Sequence, residues 1–207
     1  MGFPEWSPTP LKDSVKTSQN AELRSYEWTG ELISCARLCE LNVPGKFTAE
    51  TLVIYPSPFT LTPIFGTEYI SIADKKFFGA IDFHPLYQTD KYAKEQINEY
   101  LYDFPPRHVE ESKFYDLSKY FSQKFWHKKS EETFHEEYAD WVDRYLSRYR
   151  MALMDGVIGD DNTSRHVGYD KHMAVLDPAH GILKAYFSEE FANLYIEKFL
   201  FRLSGGS

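Results

Sequence analysis

The sequence has only two cysteines and contains no long apolar run. On a strand, Cys35 and Cys39 would lie about 13 Å apart at ~3.3 Å per residue, too far for a disulfide. We therefore expect reduced thiols that pack as small buried side chains. No stretch approaches the ~20 apolar residues of a membrane span, and the first residues, MGFPEWSPTP, lack the apolar segment of a secretory signal. The expectation is a cytoplasmic protein with no membrane partner.

Sequence motifs for common cofactors and nucleophiles are also missing. The chain contains no G-x-G-x-x-G, no G-x-x-x-x-G-K-[ST], no H-E-x-x-H and no G-x-S-x-G. Two cysteines cannot supply the four thiolates of an iron–sulfur cluster, and the seven histidines are scattered. We expect no metal site, so any difficult chemistry belongs to the substrate or to an outside electron donor.

Positive charge is in short supply as well. The 23 Lys and Arg residues are outnumbered by 31 Asp and Glu residues, which gives a net charge of −8. A non-specific nucleic-acid-binding protein needs a basic face, so this class is disfavoured. A local basic patch remains compatible with the composition.

Aromatic residues are abundant, with 16 Phe, 15 Tyr and 4 Trp among 207 residues. Aromatic side chains bury large apolar areas and can form flat walls. The chain can therefore build a sizeable core and still line a pocket for a flat, conjugated ligand.

The order of the patterns predicts a sheet followed by helices. Five short strand-like runs, separated by turn residues, are ELRSYEW, GELISCARLCEL, ETLVIYP, TPIFGTEYISIA and KKFFGAIDFHP. Their spacing favours an antiparallel meander with a hairpin turn at Asp74-Lys75. Helical patterns follow, the strongest being an aromatic stripe over 134–149 with Ser130 as the predicted N-cap. We expect an α+β fold with a single domain over 21–203, an irregular arm over 1–20 and a tail over 204–207.

Two segments, 52–85 and 168–201, carry more specific motifs. These are Tyr55-Pro56, Thr62-Pro63-Ile64-Phe65-Gly66-Thr67-Glu68, Asp170, Leu176-Asp177-Pro178 and an aromatic pattern from Phe191 to Phe201. In this order they resemble the ferredoxin-dependent bilin reductases, which reduce the linear tetrapyrrole biliverdin. The resemblance runs from about residue 21 to the end of the chain.

The resemblance implies a three-layer α/β/α sandwich with a central antiparallel sheet, and a bilin held between the sheet and the C-terminal helices. It also implies reduction of biliverdin IXα to a phycobilin-type tetrapyrrole by alternating electron and proton transfers. Electrons would come singly from reduced ferredoxin, with no tightly bound cofactor, and the enzyme would be a monomer. The alternatives are a reductase of a chlorophyll-derived open tetrapyrrole and a non-catalytic tetrapyrrole-binding protein.

Carboxylic acids are the expected proton donors of such a reaction. The resemblance assigns this role to Glu68 and Asp170, on opposite sides of the bilin. Burial in an aromatic pocket would raise the pKa of a carboxyl group toward the working pH. Glu68 stands where the family usually has Asp, Thr51 where a His or Asn often faces the bilin, and Cys39 where one subfamily has Glu. These departures mean that the product isomer is not carried over.

Cationic residues are expected to bind the two propionates of the bilin and to dock the acidic ferredoxin. The candidates for the propionates are Arg37 and Arg150, and Lys124, Lys128 and Lys129 form the candidate docking patch. Other conspicuous residues receive structural interpretations: Asp82 as a buried strand residue, His84 as a turn residue and the 134–149 stripe as helix core.

Overall fold

The computed structural model describes residues 7–8, 21–86, 91–105, 120–156 and 158–203. Within these ranges the strands are β1 (Ser7–Pro8), β2 (Glu22–Trp28), β3 (Ile33–Val43), β4 (Phe47–Pro56), β5 (Ile64–Ile72), β6 (Lys76–His84) and β7 (Trp126–Ser130). The helices are α1 (Lys91–Tyr100), α2 (His135–Met154), α3 (Thr163–Leu176), α4 (Ala179–Tyr186) and α5 (Glu189–Tyr195), which continues as a π-helical turn over Ile196–Leu200.

The strands form one antiparallel sheet in chain order, β1 to β7, so the predicted meander is confirmed. From β2 to β6, short connections enforce this arrangement because they leave no length for a crossover, whereas α1 lies in the long connection between β6 and β7. In the turn between β5 and β6, Ala73 and Asp74 both have a φ of 52°, and the Asp74 carboxylate accepts a hydrogen bond from Ser71. The hairpin predicted at Asp74-Lys75 therefore lies where expected.

Both faces of the sheet are covered, which makes three layers. One face packs against α1 and α2 through an aromatic cluster that includes Phe65, Phe83, Tyr138, Tyr145 and Tyr149. The other face packs against the C-terminal helices through Leu41, Val43, Val53, Tyr55, Tyr195 and Phe199, among others. Successive strand residues point to opposite faces, so each strand contributes to both layers. The expected α/β/α sandwich with a central antiparallel sheet is confirmed.

The aromatic stripe does form the core face of a helix, but its start differs from the prediction. Ser130 is the last residue of β7, where it pairs with Phe77, and its hydroxyl accepts a hydrogen bond from the N–H of Glu132. The N-cap of α2 is Phe134, and Glu136 lies in the first turn. Strand pairing holds Ser130 in the sheet, so it is unavailable as a helix cap.

The two ends of the domain also differ in detail from the sequence patterns. Ser7–Pro8 of the predicted irregular arm pairs with β2 at the edge of the sheet, where strands tolerate a proline. The C-terminal helical segment breaks at Phe187, and the Ser188 hydroxyl caps α5 by accepting from the Phe191 N–H. None of the helices in the described ranges is both long and apolar enough to cross a membrane.

Gly79 of β6 lets the start of α2 approach the sheet closely. A Cβ at this position would lie 3.0 Å from ring carbons of Phe134 and Trp126 and 3.1 Å from Tyr138. We expect G79A to lower the free energy of unfolding by about 1–3 kcal/mol through overpacking. The matched control is G181A in α4, where a Cβ would meet nothing within 4 Å and should raise stability by ~0.4–1 kcal/mol. Urea unfolding of both variants measures the difference, and equal stabilities would contradict this packing.

Candidate functional site

An apolar cleft lies between the sheet and the C-terminal helices. Its cavity volume is about 80 Å³, with a floor from β4, β5 and β6 and a roof from α3, the residues after it, and the C-terminal segment at Leu200 and Phe201. Its apolar lining includes Val53, Ala80, Phe121, Phe125, Met173 and Phe201. A second cavity of about 50 Å³ adjoins it and shares Thr51, Glu68, Asp177 and Leu200 with the first. Cavities therefore lie between the sheet and the C-terminal helices, where the resemblance places the bilin.

Glu68 lies at the junction of the two cavities. It pairs with Thr51 on β4 and with Ala80 on β6, and both partners line the main cleft. On the opposite face of β5, the Thr67 hydroxyl lies 2.5 Å from the Tyr138 hydroxyl of α2. Successive side chains of β5 thus point to opposite faces of the sheet. Thr51 and Glu68 both line the two cavities.

Asp177 is a cleft acid to which sequence reasoning gave no role. It follows α3 with extended backbone angles (φ −65°, ψ 123°) and lines both cavities. Its Oδ1 accepts a hydrogen bond of 2.7 Å from the Ala179 N–H. Burial raises the pKa of this carboxyl group to about 6. The Leu176-Asp177-Pro178 motif was the available signal. The residue before a proline is disfavoured in a helix, so this motif marks Asp177 as the end of α3.

Asp170 lies elsewhere, behind the wall of the cleft. Its carboxylate is fully buried and accepts hydrogen bonds from the Tyr55 hydroxyl (2.6 Å) and the Leu203 N–H (2.9 Å). Burial raises the pKa of Asp170. It is absent from the described residues that line either cavity, so its predicted role as a proton donor stays a prediction.

The two arginine candidates are placed away from the ligand space. Arg37 is 2% exposed, donates to the Leu200 carbonyl (2.6 Å) and to Glu27 (3.1 Å), and stacks over the Tyr55 ring. These contacts make Arg37 a structural residue. Arg150 is an exposed residue of α2, and α2 packs on the opposite face of the sheet. The structure therefore does not bring Arg150 to the cleft, and its role in substrate binding stays a prediction. An amphipathic helix pattern does not tell which face of a sheet the helix covers.

Asp82 and His84, neighbours on the cleft face of β6, both line the cleft. Asp82 accepts hydrogen bonds from the N–H (2.7 Å) and the hydroxyl (2.5 Å) of Ser122, in agreement with a structural role. His84 ends β6, so it is a strand residue and the turn interpretation is wrong. Burial lowers the pKa of His84 to about 4, which keeps its imidazole neutral.

The predicted docking patch is divided between the two faces of the sheet edge. Lys124 donates to the Phe104 carbonyl (2.6 Å), and Lys128 forms an ion pair with Glu137. Lys129 is exposed and pairs with Phe78, which places it on the cleft face of β7. The three lysines therefore do not form one surface.

The cysteine, acidic and histidine side chains of the described residues do not meet the requirements of a metal site. Cys35 and Cys39 are free and buried, and burial raises the pKa of Cys39 to about 12. Within the described ranges, no group of three His, Cys, Asp or Glu side chains could hold a metal ion.

Known proteins resemble this chain over nearly its whole sequence, including the residues that line the cleft. Residues 10–202 match the family model described as ferredoxin-dependent bilin reductase. The 15,16-dihydrobiliverdin:ferredoxin oxidoreductase of Nostoc punctiforme is 31% identical over 202 residues, covering 92% of this chain and 83% of that protein. The enzyme of the same name from Gloeobacter violaceus is 29% identical, covering 91% and 82%.

A solved structure shares the fold. Tomato phytochromobilin synthase in complex with biliverdin superposes with a TM-score of 0.76 at 21% identity, covering 96% of this chain and 77% of that one. The shared fold has the same antiparallel sheet between helical layers. Because the family match spans nearly the entire sequence, including the cleft, this chain belongs to the ferredoxin-dependent bilin reductases and is an oxidoreductase that takes its electrons from ferredoxin.

Proposed function

We propose that the cleft binds biliverdin IXα and that the enzyme reduces it to a phycobilin-type linear tetrapyrrole by alternating electron and proton transfers. The observation that carries this proposal is the pair of carboxylic acids, Glu68 and Asp177, in a largely apolar cleft between the sheet and the C-terminal helices.

The two acids supply protons, whereas ferredoxin supplies only electrons. Each reduced ferredoxin delivers one electron, so reduction of one carbon–carbon double bond consumes two electrons and two protons. The first electron forms a bilin radical anion, which a proton converts to a neutral radical. The second electron forms a closed-shell anion, which the second proton converts to the reduced product. Glu68 on the sheet and Asp177 after α3 approach the shared space from different layers. We propose that they protonate the bilin from its two sides.

The charge of the cleft suggests how the bilin is oriented. Glu68, Asp82 and Asp177 line the main cavity, and no Lys or Arg is found among its described lining residues. Two propionates buried there would lack a cationic partner among these residues, and an unpaired buried charge is costly. We propose that the conjugated rings occupy the cleft and the propionates extend to solvent.

Replacement of each acid tests its role. We expect E68Q and D177N to bind biliverdin within a few-fold of wild type and to lose about 10²- to 10⁴-fold in single-turnover reduction. D170N should instead lower the free energy of unfolding by about 1–3 kcal/mol, because the Tyr55 and Leu203 donors lose a charged acceptor. Anaerobic absorbance kinetics with reduced ferredoxin, together with urea unfolding, measure both effects.

The reverse pattern would assign the chemistry to Asp170. Loss of reduction in D170N with unchanged stability, and full turnover in D177N, would replace Asp177 by Asp170 as the second donor. Full turnover by both E68Q and D177N would remove the two-acid mechanism.

The raised pKa of Asp177 predicts a pH dependence. A proton donor must carry its proton, and a pKa of about 6 leaves Asp177 largely protonated below pH 6 and ionised above it. The single-turnover rate should therefore fall as pH rises through about 6, approaching a tenfold loss per pH unit where this protonation limits the rate. D177N should retain a slow rate without this limb. A wild-type rate that is flat from pH 5 to 8 would contradict the assignment.

A second candidate substrate is 15,16-dihydrobiliverdin. The relatives from Nostoc punctiforme and Gloeobacter violaceus are named for this compound. Supplying each bilin separately with reduced ferredoxin, and comparing kcat/KM, decides between them. Turnover of dihydrobiliverdin alone would leave the cleft chemistry unchanged and reassign the substrate.

We propose that ferredoxin docks beside Lys129, on the cleft side of the sheet edge. Of the three predicted docking lysines, Lys124 and Lys128 have partners within the protein, whereas Lys129 is exposed. We expect K129E to lower kcat/KM for ferredoxin by roughly three- to tenfold at low ionic strength, with the difference disappearing at high salt. The control is K46E, an exposed lysine in the turn between β3 and β4, several strands away. Equal effects of the two substitutions would indicate net charge alone and overturn the proposed docking position.

A further inference from the structure

His84 presents a hydrogen-bond acceptor to the cleft. Its Nδ1 lies 2.7 Å from the carbonyl oxygen of Tyr120. A carbonyl oxygen can only accept, so Nδ1 carries the proton and donates it. The other ring nitrogen, Nε2, is then unprotonated and has a lone pair. The residue is 5% exposed and lines the main cavity.

Nε2 of His84 lies close to Gly66 on the neighbouring strand. A Cβ built on Gly66 would lie 2.4 Å from Nε2 of His84. The imidazole therefore leans over the backbone of Gly66, and only a residue without a side chain leaves it room. Gly66 and Glu68 are two residues apart on the same face of β5, so the lone pair and the Glu68 carboxyl group are neighbours on the cleft floor.

The ring of His84 is held firmly in this orientation. Its centroid lies 5.2 Å from that of Phe121 and 5.3 Å from that of Tyr169. Together with the bond to Tyr120, these contacts constrain the ring from three sides. The low pKa of His84 keeps the imidazole neutral at physiological pH. Such a nitrogen can accept a hydrogen bond from a ligand but cannot donate one.

We propose that Nε2 of His84 accepts a hydrogen bond from a pyrrole or lactam N–H of the bound bilin and so fixes the tetrapyrrole beside Glu68. This inference rests on the proposed function, because it needs a bilin in the cleft. A bilin offers N–H groups along one edge and carbonyl oxygens at its two ends. An acceptor-only nitrogen selects the N–H edge, so His84 is a positioning residue that determines which part of the bilin faces the acid.

Two conservative variants separate this role from a structural one. In H84N, the amide nitrogen can take the place of Nδ1 and keep the bond to Tyr120, while the acceptor at Nε2 is lost. In H84Q, the amide oxygen can reach the position of Nε2 and restore an acceptor. We expect H84N to raise the Kd for biliverdin about five- to tenfold, the value of one hydrogen bond, and to shift the absorption band of the bound bilin. H84Q should recover part of both properties.

Nitrogen-15 NMR of the wild-type imidazole gives a readout that needs no variant. The Nε2 resonance of His84 should have the chemical shift of an unprotonated nitrogen and move when biliverdin is added. Unchanged resonances in a biliverdin complex, or an H84N variant with wild-type Kd and spectrum, would overturn the proposal. Failure of the wild-type protein to bind biliverdin would instead contradict the proposed function, so the two failures are distinguishable.

Discussion

The buried contacts of Asp170 and Arg37 tie the C-terminal layer to the sheet, and the cleft exists only while that layer is in place. Asp170 of α3 accepts hydrogen bonds from Tyr55 on β4 and from the N–H of Leu203. Arg37 on β3 donates to the carbonyl of Leu200, which itself lines both cavities. Buried charges are costly unless their hydrogen-bonding groups are satisfied. Here these bonds connect three segments that are distant in sequence, so the roof and the floor of the cleft are fixed relative to each other.

One face of the sheet packs against α1 and α2, and the other forms the floor of the cleft. Packing on the first face holds the strands that carry the cleft residues. On the α2 side, aromatic rings such as Phe65, Phe83 and Tyr149 fill the space between helix and sheet. The hydroxyl of Tyr138 reaches Thr67, next to Glu68 on the same strand. Because β5 is held from behind, Glu68 is positioned by a rigid element. Catalytic groups benefit from such support, since small displacements of a proton donor lower its efficiency.

Much of this arrangement follows from the sequence, and the errors have definite physical causes. Alternation along β5 suffices to place Glu68 on the cleft face. Asp170 and Asp177 are seven residues apart, which is about two helical turns, so periodicity puts them on the same side of a helix and cannot rank them. Their difference arises where α3 ends: Asp177 takes extended backbone angles in the cleft, whereas Asp170 stays within the helix against Tyr55. Pro178 marks the helix end in the sequence, because the residue before a proline is disfavoured in a helix. Which of the two acids then lines the cleft depends on tertiary contacts that no local pattern records.

The same two carboxyl groups have different surroundings, so the causes that act on their pKa values differ. Burial raises the pKa of both. At Asp170, the hydrogen bonds from Tyr55 and Leu203 and the charge of Arg37 act against this rise. At Asp177, the opposing contribution is the hydrogen bond from the Ala179 N–H, and the pKa reaches about 6. Because Arg37 is held by Glu27 and by the Leu200 carbonyl, its charge serves the scaffold. Asp177, which lines the cleft, thus has the raised pKa that the proposed proton donor needs, while the hydrogen bonds of Asp170 hold the C-terminal layer to the sheet.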